Sequence, residues 1–558
     1  MNHWQPELGS GPRGEFDFDG NATALNGGAP ANQFNGWAQF LLGLPGGSVV
    51  SGLGKSDQFI KATAKEWQFG FFFGDRYRVS NKLTLNLGLR YEYYPLMTRD
   101  SEARFDRLDF SSLNVLLGGI GGNSEHLGVT TSKKLFAPRV GLAYQVSDKM
   151  VVRSGFGITI DPLPLARPLR GFYPFTVGSN FEGVDSFAPA GSLSPLAAPL
   201  PSGPIPVGIP PICCPDISSG TIPLPAQALE RSVPPGELKR GYIESWNLIV
   251  ERRLPGNFLG SVGYVGTQTV HAFGDLDLNS SLPGTGQAGQ PYNTDTLGGV
   301  LLPTISQFRT ASTLYWQGFL SANYHSLQAS LNRQFRNGFT VKGAYTWSKA
   351  INMTDDDGWA GLSWNDPSVL RKNRAPAGYD TPQIFQMSYI YELPFGSGKK
   401  WANSGTSAKI LGGWQTSGIF SSVAGQPFQL TANGGSLNAV GQTQTPDQVG
   451  PAHKLGGVGT GHPFYDPSAF VPVTDVRYGN VGRNSLRGPG SVNFDFSLFR
   501  MFKITERVEL QFRADAANLF NAPHFLNPSG DQTSANFLTI TNAKNDERQF
   551  RFGLRLAF

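Results

Sequence analysis

The sequence predicts an all-β protein, a transmembrane antiparallel up-and-down β-barrel of the outer-membrane type. Three observations predict this fold class. Segments of about ten residues, the length of a tilted transmembrane strand, alternate apolar with polar or small side chains. The connections between these segments alternate between short turns and long loops. Aromatic residues make up 12% of the 558 residues and charged residues only 16%, below the roughly 25% of soluble domains.

The alternation is clearest in residues 83–93, 339–347, 507–515 and 550–558. In the last segment, Phe550, Phe552, Leu554, Leu556 and Phe558 alternate with Arg551, Gly553, Arg555 and Ala557. Successive side chains of a strand point to opposite faces, so each segment has one apolar and one polar face. About thirteen such segments begin near residues 66, 82, 134, 149, 240, 257, 321, 338, 381, 410, 490, 506 and 548. A partial strand is also expected at Glu15 to Phe18.

Short connections carry turn residues, as in Pro255-Gly256-Asn257 and Arg336-Asn337-Gly338. The long connections are expected at about 95–133, 162–239, 267–320, 352–380, 422–489 and 521–547. Outer-membrane barrels place short turns at the periplasmic rim and long loops outside, so the final strand should run inward to Phe558. The Pro-rich stretch Ser192–Leu229 is expected to be irregular. We expect two parts, a loop-rich segment 1–65 and the barrel portion 66–558.

Arginines that fall on the apolar face of a predicted strand test this assignment of the faces. An arginine costs about 2–4 kcal/mol at the bilayer midplane but about 0–1 kcal/mol near the interface. Three arginines fall in the apolar phase, Arg252, Arg333 and Arg500, and each lies within a few residues of a short turn. The register therefore places all three at the inferred periplasmic interface, where their cost is small.

Charged residues on the polar faces of the predicted strands are the candidates for the lining of the barrel lumen. They are Arg90, Glu92, Arg139, Lys342, Glu509, Arg513, Asp515, Arg551 and Arg555. They form a solvated, mutually paired wall, contact a plug, or line a substrate path.

Other candidates for chemistry are few. Asp355-Asp356-Asp357 could bind calcium, but the ligand spacing of a calcium loop is missing, which favours a solvated acidic loop. Adjacent Cys213 and Cys214 form neither a disulfide framework nor a metal site. No HExxH, GxSxG or Walker motif is present, so we expect no enzyme, catalytic residue, cofactor or metal. A net charge of +5 without a Lys/Arg-rich run does not favour nucleic acid as a partner.

Several segments resemble the barrel of Oar-like TonB-dependent receptors, a group abundant in Acidobacteria. The stretches are NGWAQFLLGLP (35–45), FFFGDRYRVSNKLTLNLGLRYEYYP (71–95), FAPRVGLAYQVSDKMVVRSGFG (136–157), SWNLIVERRLPGNFLGSVGYVGT (245–267), NYHSLQASLNRQFRNGFTVKGAYTWSKAI (323–351) and RYGNVGRNSLRGPGSVNFDFSLFRMFKITERVELQFRADAANLFNAPHF (477–525). Each stretch is weak alone, but together and in this order they are fairly specific.

The resemblance implies a barrel of about twenty-two strands with an N-terminal plug and a segment that contacts TonB. Those N-terminal parts have no counterpart in this sequence, so we expect an incomplete, C-terminal portion of such a barrel without plug. The resemblance further implies location in the cell outer membrane of a Gram-negative bacterium, contact with its lipid, and energy-coupled uptake of a scarce ligand. Phe558 matches the terminal signal that the barrel-assembly machinery reads in this class.

Two alternatives stay open. A self-contained passive porin of about fourteen strands would need no plug. A surface adhesion or structural outer-membrane protein would use the long loops to bind partners. The identity of the ligand does not follow from the sequence.

Overall fold

The computed structural model describes residues 2–4, 15–16, 18, 20–23, 33–45, 54–59, 63–161, 172–180, 189, 192–193, 215–225, 228–293, 296–297, 300–301, 311–355 and 361–558. The cysteine pair and two of the three consecutive aspartates, at positions 213, 214, 356 and 357, lie outside these residues.

Thirteen strands form the main sheet. They are β1 Phe69–Arg78, β2 Leu83–Tyr93, β3 Leu135–Ser147, β4 Met150–Ile160, β5 Tyr242–Leu254, β6 Phe258–Asp277, β7 Thr313–Arg336, β8 Phe339–Asn352, β9 Gln383–Glu392, β10 Trp414–Val423, β11 Ser491–Lys503, β12 Glu509–Ala517 and β13 Gln549–Ala557. Each of the thirteen predicted segments contains one of these strands, which confirms the predicted fold class.

The strands pair in chain order, each antiparallel to the next, from β1 to β13. Short turns join alternate pairs of strands and force those pairs to be antiparallel, and the long loops connect the remaining neighbours in the same order. Within the described residues no pairing joins β1 to β13, so the sheet has two open edges. Two short segments, Glu230–Ser232 and Ala375–Pro376, pair with β7 and β8 outside this path.

Strands β6 and β7 are much longer than a membrane crossing requires. They span 20 and 24 residues, whereas about 9–11 tilted residues cross a bilayer. The expected loop 267–320 was therefore too long. The strands continue to Asp277 and resume at Thr313, so their hairpin projects beyond the membrane on the long-loop side.

The remaining elements lie mostly in the connections. Short strands occupy Asn2–Trp4, Glu15–Phe16, Gly54–Phe59, Ala64–Glu66, Thr98–Arg99, Asp106–Asp109, Asn114–Leu117, Val129–Thr131, Thr176–Asn180, Thr221–Pro223, Gly236–Leu238, Thr296–Leu297, Val300–Leu301, Pro427–Phe428, Asp447–Gln448, Phe470–Val471 and Leu486–Arg487. The helices are α1 Gln33–Leu42 and α2 Gly405–Leu411. Neither described helix is long and apolar enough to cross a membrane.

Short regular elements occur within two stretches that were expected to be loop-rich or irregular. Segment 1–65 contains α1, and its strand Glu15–Phe16 lies within the expected partial strand Glu15 to Phe18. Within the Pro-rich stretch, Thr221–Pro223 pairs with Asn114–Leu117 from another loop. The partner of Thr221–Pro223 is about 100 residues away in the sequence, so local composition did not reveal this strand.

The turn between β7 and β8 shows how local residues set the hairpins. Asn337 and Gly338 have φ angles of 54° and 75°. Two consecutive positive φ values suit a two-residue turn whose twist matches the flanking strands, and Asn-Gly tolerates them best.

The buried apolar core lies in the long connections and at the loop-side ends of the strands, where Phe273 of β6 and Trp316 of β7 pack with loop residues. We call these connections the loop layer, namely residues 94–134, 161–241, 278–312, 353–382, 424–490 and 518–548 as far as they are described. One cluster joins Leu108, Val115, Phe175 and Ile222 from two loops. A second joins Phe428, Phe470 and Leu538 from two others. The described loops therefore pack on one another.

Candidate functional site: a polar sheet face beneath a packed loop layer

One polar face runs across all thirteen strands. Cross-strand partners share a face, and Arg90 lies opposite Ala137, two residues from Arg139. Farther along, Lys342 lies opposite Ser388. Followed strand by strand, the register places all nine predicted residues on this face, namely Arg90, Glu92, Arg139, Lys342, Glu509, Arg513, Asp515, Arg551 and Arg555. That this face lines a lumen stays a prediction.

Some charges on the polar face are paired. Arg90 Nε lies 2.5 Å from Glu92 Oε1, and Arg513 Nε lies 2.8 Å from Asp515 Oδ1. The Ser497 hydroxyl also donates to Asp515 Oδ1 at 2.5 Å. Within the described residues, five predicted residues make no side-chain hydrogen bond or ion pair, namely Arg139, Lys342, Glu509, Arg551 and Arg555. The unpaired charges are thus mainly cationic.

A depression of about 490 Å³ lies on the polar face of β8 to β12. Lys342, Asp495 and Arg513 line it together with serines of three strands. Asp495 Oδ1 accepts hydrogen bonds from Asn493 Nδ2 at 3.0 Å and from the backbone of Asn518 at 2.9 Å. The depression can accept a polar group that carries either charge.

Large apolar side chains interrupt the same polar face. Their exposed fractions run from 39% to 81%, and they are Phe72, Ile243, Leu259, Ile390, Ile419 and Met501. The register places each of them on the same side as the nine charged residues. Water is a poor neighbour for six such side chains, because each exposed apolar Å² costs roughly 25 cal/mol.

The opposite face is an apolar band. Its exposed side chains include Leu89, Val140, Phe156, Leu248, Val262, Leu327, Trp347, Phe552 and Leu554. A contiguous apolar surface of this extent is typical of lipid contact.

The three arginines of the apolar face lie beside short connections, as predicted. Arg333 donates to the carbonyls of Gly256 and Phe339, each at 3.2 Å. Arg500 donates to the carbonyls of Lys409 and Ile410 at 2.5 and 2.6 Å, at the C-terminal end of α2. A cation there complements the unpaired carbonyls of the last helical turn.

Loop 161–241 is clamped to the projecting hairpin. Arg231 meets Asp275 of β6 through two contacts, Nε to Oδ1 at 2.8 Å and Nη2 to Oδ2 at 2.5 Å. Both side chains are almost inaccessible to solvent. A fork-shaped contact of this kind fixes orientation as well as distance.

A second buried pair holds the segment before β1. Arg240 Nη2 lies 3.4 Å from Glu66 Oε1, and neither side chain is accessible to solvent. Gln68 also donates to Glu66 at 2.9 Å. Burial raises the pKa of Glu66, because removal from water disfavours the charged form.

Asp355 is a structural link between two loops. Arg483 Nη1 donates to its Oδ2 at 2.6 Å, and the Gly378 backbone donates to its Oδ1 at 2.6 Å. Asn352 and Asn484 donate at 2.9 and 3.0 Å. Although burial alone would raise the pKa of Asp355, these hydrogen bonds and the Arg483 charge lower it.

This arrangement bears on the calcium alternative for the three aspartates. The Asp355 carboxylate accepts four hydrogen bonds although its side chain is 38% exposed, and the other two aspartates lie outside the described residues, so the expected solvated acidic loop stays a prediction. Within the described part of the chain, no group of three His, Cys, Asp or Glu side chains could hold a metal ion. The absence of a metal and of enzymatic activity stays a prediction.

His524 links loop 518–548 to the N-terminal end of β11. Its Nδ1 lies 2.6 Å from Asp546 Oδ2, and its Nε2 lies 3.0 Å from the Val492 carbonyl. Both neighbours are acceptors, so only the doubly protonated imidazolium satisfies both contacts. The hydrogen bond with Asp546 raises the pKa of His524.

Sequence reasoning missed most of these loop residues. The arginines at 231, 240 and 483 lie in irregular stretches without periodicity, and their carboxylate partners are 44, 174 and 128 residues away. The predicted Phe558 follows the last strand and is 96% exposed. Its role as an assembly signal stays a prediction.

Strand order, length and the two unlike faces define an outer-membrane β-barrel protein. The family model described as "Outer membrane beta barrel domain" matches residues 1–551. The chain therefore belongs to the outer-membrane β-barrel domain family, and the protein is located in the outer membrane. No curated protein matches the chain.

Solved structures with similarity to the chain include siderophore receptors, at low sequence identity. The siderophore receptor PiuA from Acinetobacter baumannii is 8% identical with a TM-score of 0.39, over 89% of this chain and 43% of that one. The pyoverdine receptor FpvA from Pseudomonas aeruginosa PAO1, bound to pyoverdine, is 12% identical with a TM-score of 0.41, over 90% and 43%. The chain thus spans less than half of either structure, and likeness at this level carries no inference about function.

Proposed function

We propose that this chain is the barrel portion of an outer-membrane receptor that takes up a scarce ligand with energy relayed through TonB. Residues 66–558 would supply the barrel, and residues 1–65 the segment that leads into it. The loop layer would capture the ligand, and a plug inside the barrel would gate its passage. The resemblance of six ordered stretches to Oar-like receptors supports this class.

One observation favours a plugged receptor over a passive porin. The polar face exposes six large apolar side chains among its charges. A water-filled pore gives those side chains no partner, whereas a folded plug would bury them and pair with the unpaired cations beside them. The passive porin is therefore the weaker candidate.

The open sheet edges support a larger barrel. Backbone groups of β1 and β13 that face lipid without a partner cost several kcal/mol each. Further strands that join β1 to β13 would satisfy these groups.

Planar-bilayer conductance of the purified chain separates these functions. We expect no stable, uniform channel from the chain alone, because its sheet edges are unpaired. A steady, discrete and selective conductance would refute the proposal and support the passive porin.

Uptake by the producing bacterium tests the energy requirement. A deletion of the gene should abolish growth on one scarce nutrient from a panel of ferric siderophores, oligosaccharides and peptides. Loss of TonB should have the same effect. Ligand binding at the cell surface without uptake would favour an adhesive or structural protein.

A further inference from the structure

The lipid-facing side of the sheet contains a furrow of about 520 Å³ across β5 to β9. Its lowest positions are Ala329 of β7 and Gly343 of β8, which have little or no side chain. Val262 and Tyr345 lie on the two sides of Ala329, and Leu331 lies beside Gly343. Register places all five residues on the apolar face, where a lipid chain can reach them.

A cation lies at the short-turn end of this furrow. Arg252 belongs to the furrow lining and to the apolar face of β5, two residues from the end of that strand. Within the described residues its guanidinium makes no hydrogen bond or ion pair, and the side chain is exposed. Arg333 and Arg500, on the same face, donate to backbone carbonyls instead.

We propose that this furrow binds one anionic phospholipid, with an acyl chain in the apolar channel and its phosphate on Arg252. The lipid belongs to the leaflet at the short-turn rim, since Arg252 lies where headgroups of that leaflet begin. A guanidinium matches a phosphate through two parallel hydrogen bonds. The apolar channel supplies the second contact, and both are needed to order one lipid among many. The inference does not depend on transport.

The missing side chain at Gly343 leaves room for the acyl chain, whereas a Cβ at Gly260 would already meet the Leu254 side chain at 3.2 Å. A Cβ added at Gly343 would meet only the Leu331 carbonyl oxygen, at 3.9 Å, so a side chain there would occupy the furrow without disturbing the sheet. Gly343→Leu should therefore fill the furrow while the strand pairing stays intact.

Native mass spectrometry of the full chain in mild detergent, with phosphatidylglycerol added, tests the proposal. We expect one phosphatidylglycerol retained per chain. Arg252→Gln should weaken retention about fivefold, equivalent to about 1 kcal/mol for one cation at a membrane surface. Gly343→Leu should weaken it at least as much through loss of the channel.

Two matched variants serve as controls. Arg555→Gln removes a cation near the same rim on the polar face, and Gly553→Leu makes the same exchange where a Cβ meets nothing within 4 Å. Both should retain the lipid as the parent chain does, and far-ultraviolet circular dichroism should confirm β structure in all four variants. Unchanged retention in Arg252→Gln, equal losses in the controls, or equal retention of phosphatidylcholine would each overturn the proposal.

Discussion

Arg483 offers the most direct test of how the loop layer is held together. Its guanidinium is nearly buried, donating to the Asn373 carbonyl at 3.0 Å and to the Asn352 carbonyl at 3.0 Å. It also meets the Asp355 carboxylate, which links loop 424–490 to loop 353–382. Arg483→Met preserves much of the side-chain volume and removes every one of these donors.

The magnitude follows from what the variant leaves behind. Removal of one partner from a buried ion pair costs about 3–5 kcal/mol. Asp355 would keep three other donors, and its side chain is 38% exposed, so we expect a cost below that range, about 2–3 kcal/mol. That corresponds to roughly 30- to 150-fold more frequent local opening.

Hydrogen exchange followed by mass spectrometry measures this opening directly. Peptides that cover residues 352–380 and 476–490 should exchange faster by that factor, while the membrane strands should not change. Arg477→Met is the matched control. Its partner is Asp447 at 2.5 Å, but the arginine side chain is 48% exposed, so solvent screens the pair and a much smaller change in exchange is expected. Equal effects of the two variants would refute the reasoning.

Three further predictions follow. The pKa of His524 is raised above 6.5 in the folded protein. Its stabilising contribution is therefore complete below pH 6.5 and disappears as pH rises through the pKa of the folded state. Amide hydrogen exchange in residues 518–548, corrected for intrinsic rates, should therefore increase with pH. His524→Gln should remove this pH dependence, and a dependence that survives in the variant would contradict the role of His524. Leu248→Arg on the apolar face should lower the free energy of unfolding in lipid vesicles by about 2–4 kcal/mol. Asn247→Arg on the polar face should lower it clearly less. Equal losses in the two variants would mean that the faces are assigned wrongly. Removal of Phe558 should reduce the amount of folded protein in the outer membrane, measured by heat-modifiable gel mobility, and unchanged assembly would exclude a signal at this residue.

The thirteen strands and their two faces could be predicted because the features of a membrane strand are contained in its own short segment of sequence. Its length follows from bilayer thickness, and its alternation follows from the period of two along an extended chain. The positions of Arg252, Arg333 and Arg500 followed for the same reason, since lipid penalises a cation by depth.

The length of β6 and β7 shows where this local reasoning ends. Residues 267–277 and 313–320 are mixed in polarity, and they are strands because each pairs with the other beyond the membrane. Helix α1 and strand Thr221–Pro223 also escaped prediction. Nothing within Thr221–Pro223 specifies Asn114–Leu117 as its partner.

The sequence by itself determined the class of protein, the number of membrane strands and the set of residues that share the polar face. Bilayer physics acts on each strand separately, so those properties can be read from one segment at a time. Tertiary structure alone decided how Arg231, Arg240 and Arg483 find carboxylates far away in the chain. It also decided that Gly343 opens a furrow on the lipid face. Both depend on the packing of distant segments, which local periodicity does not encode.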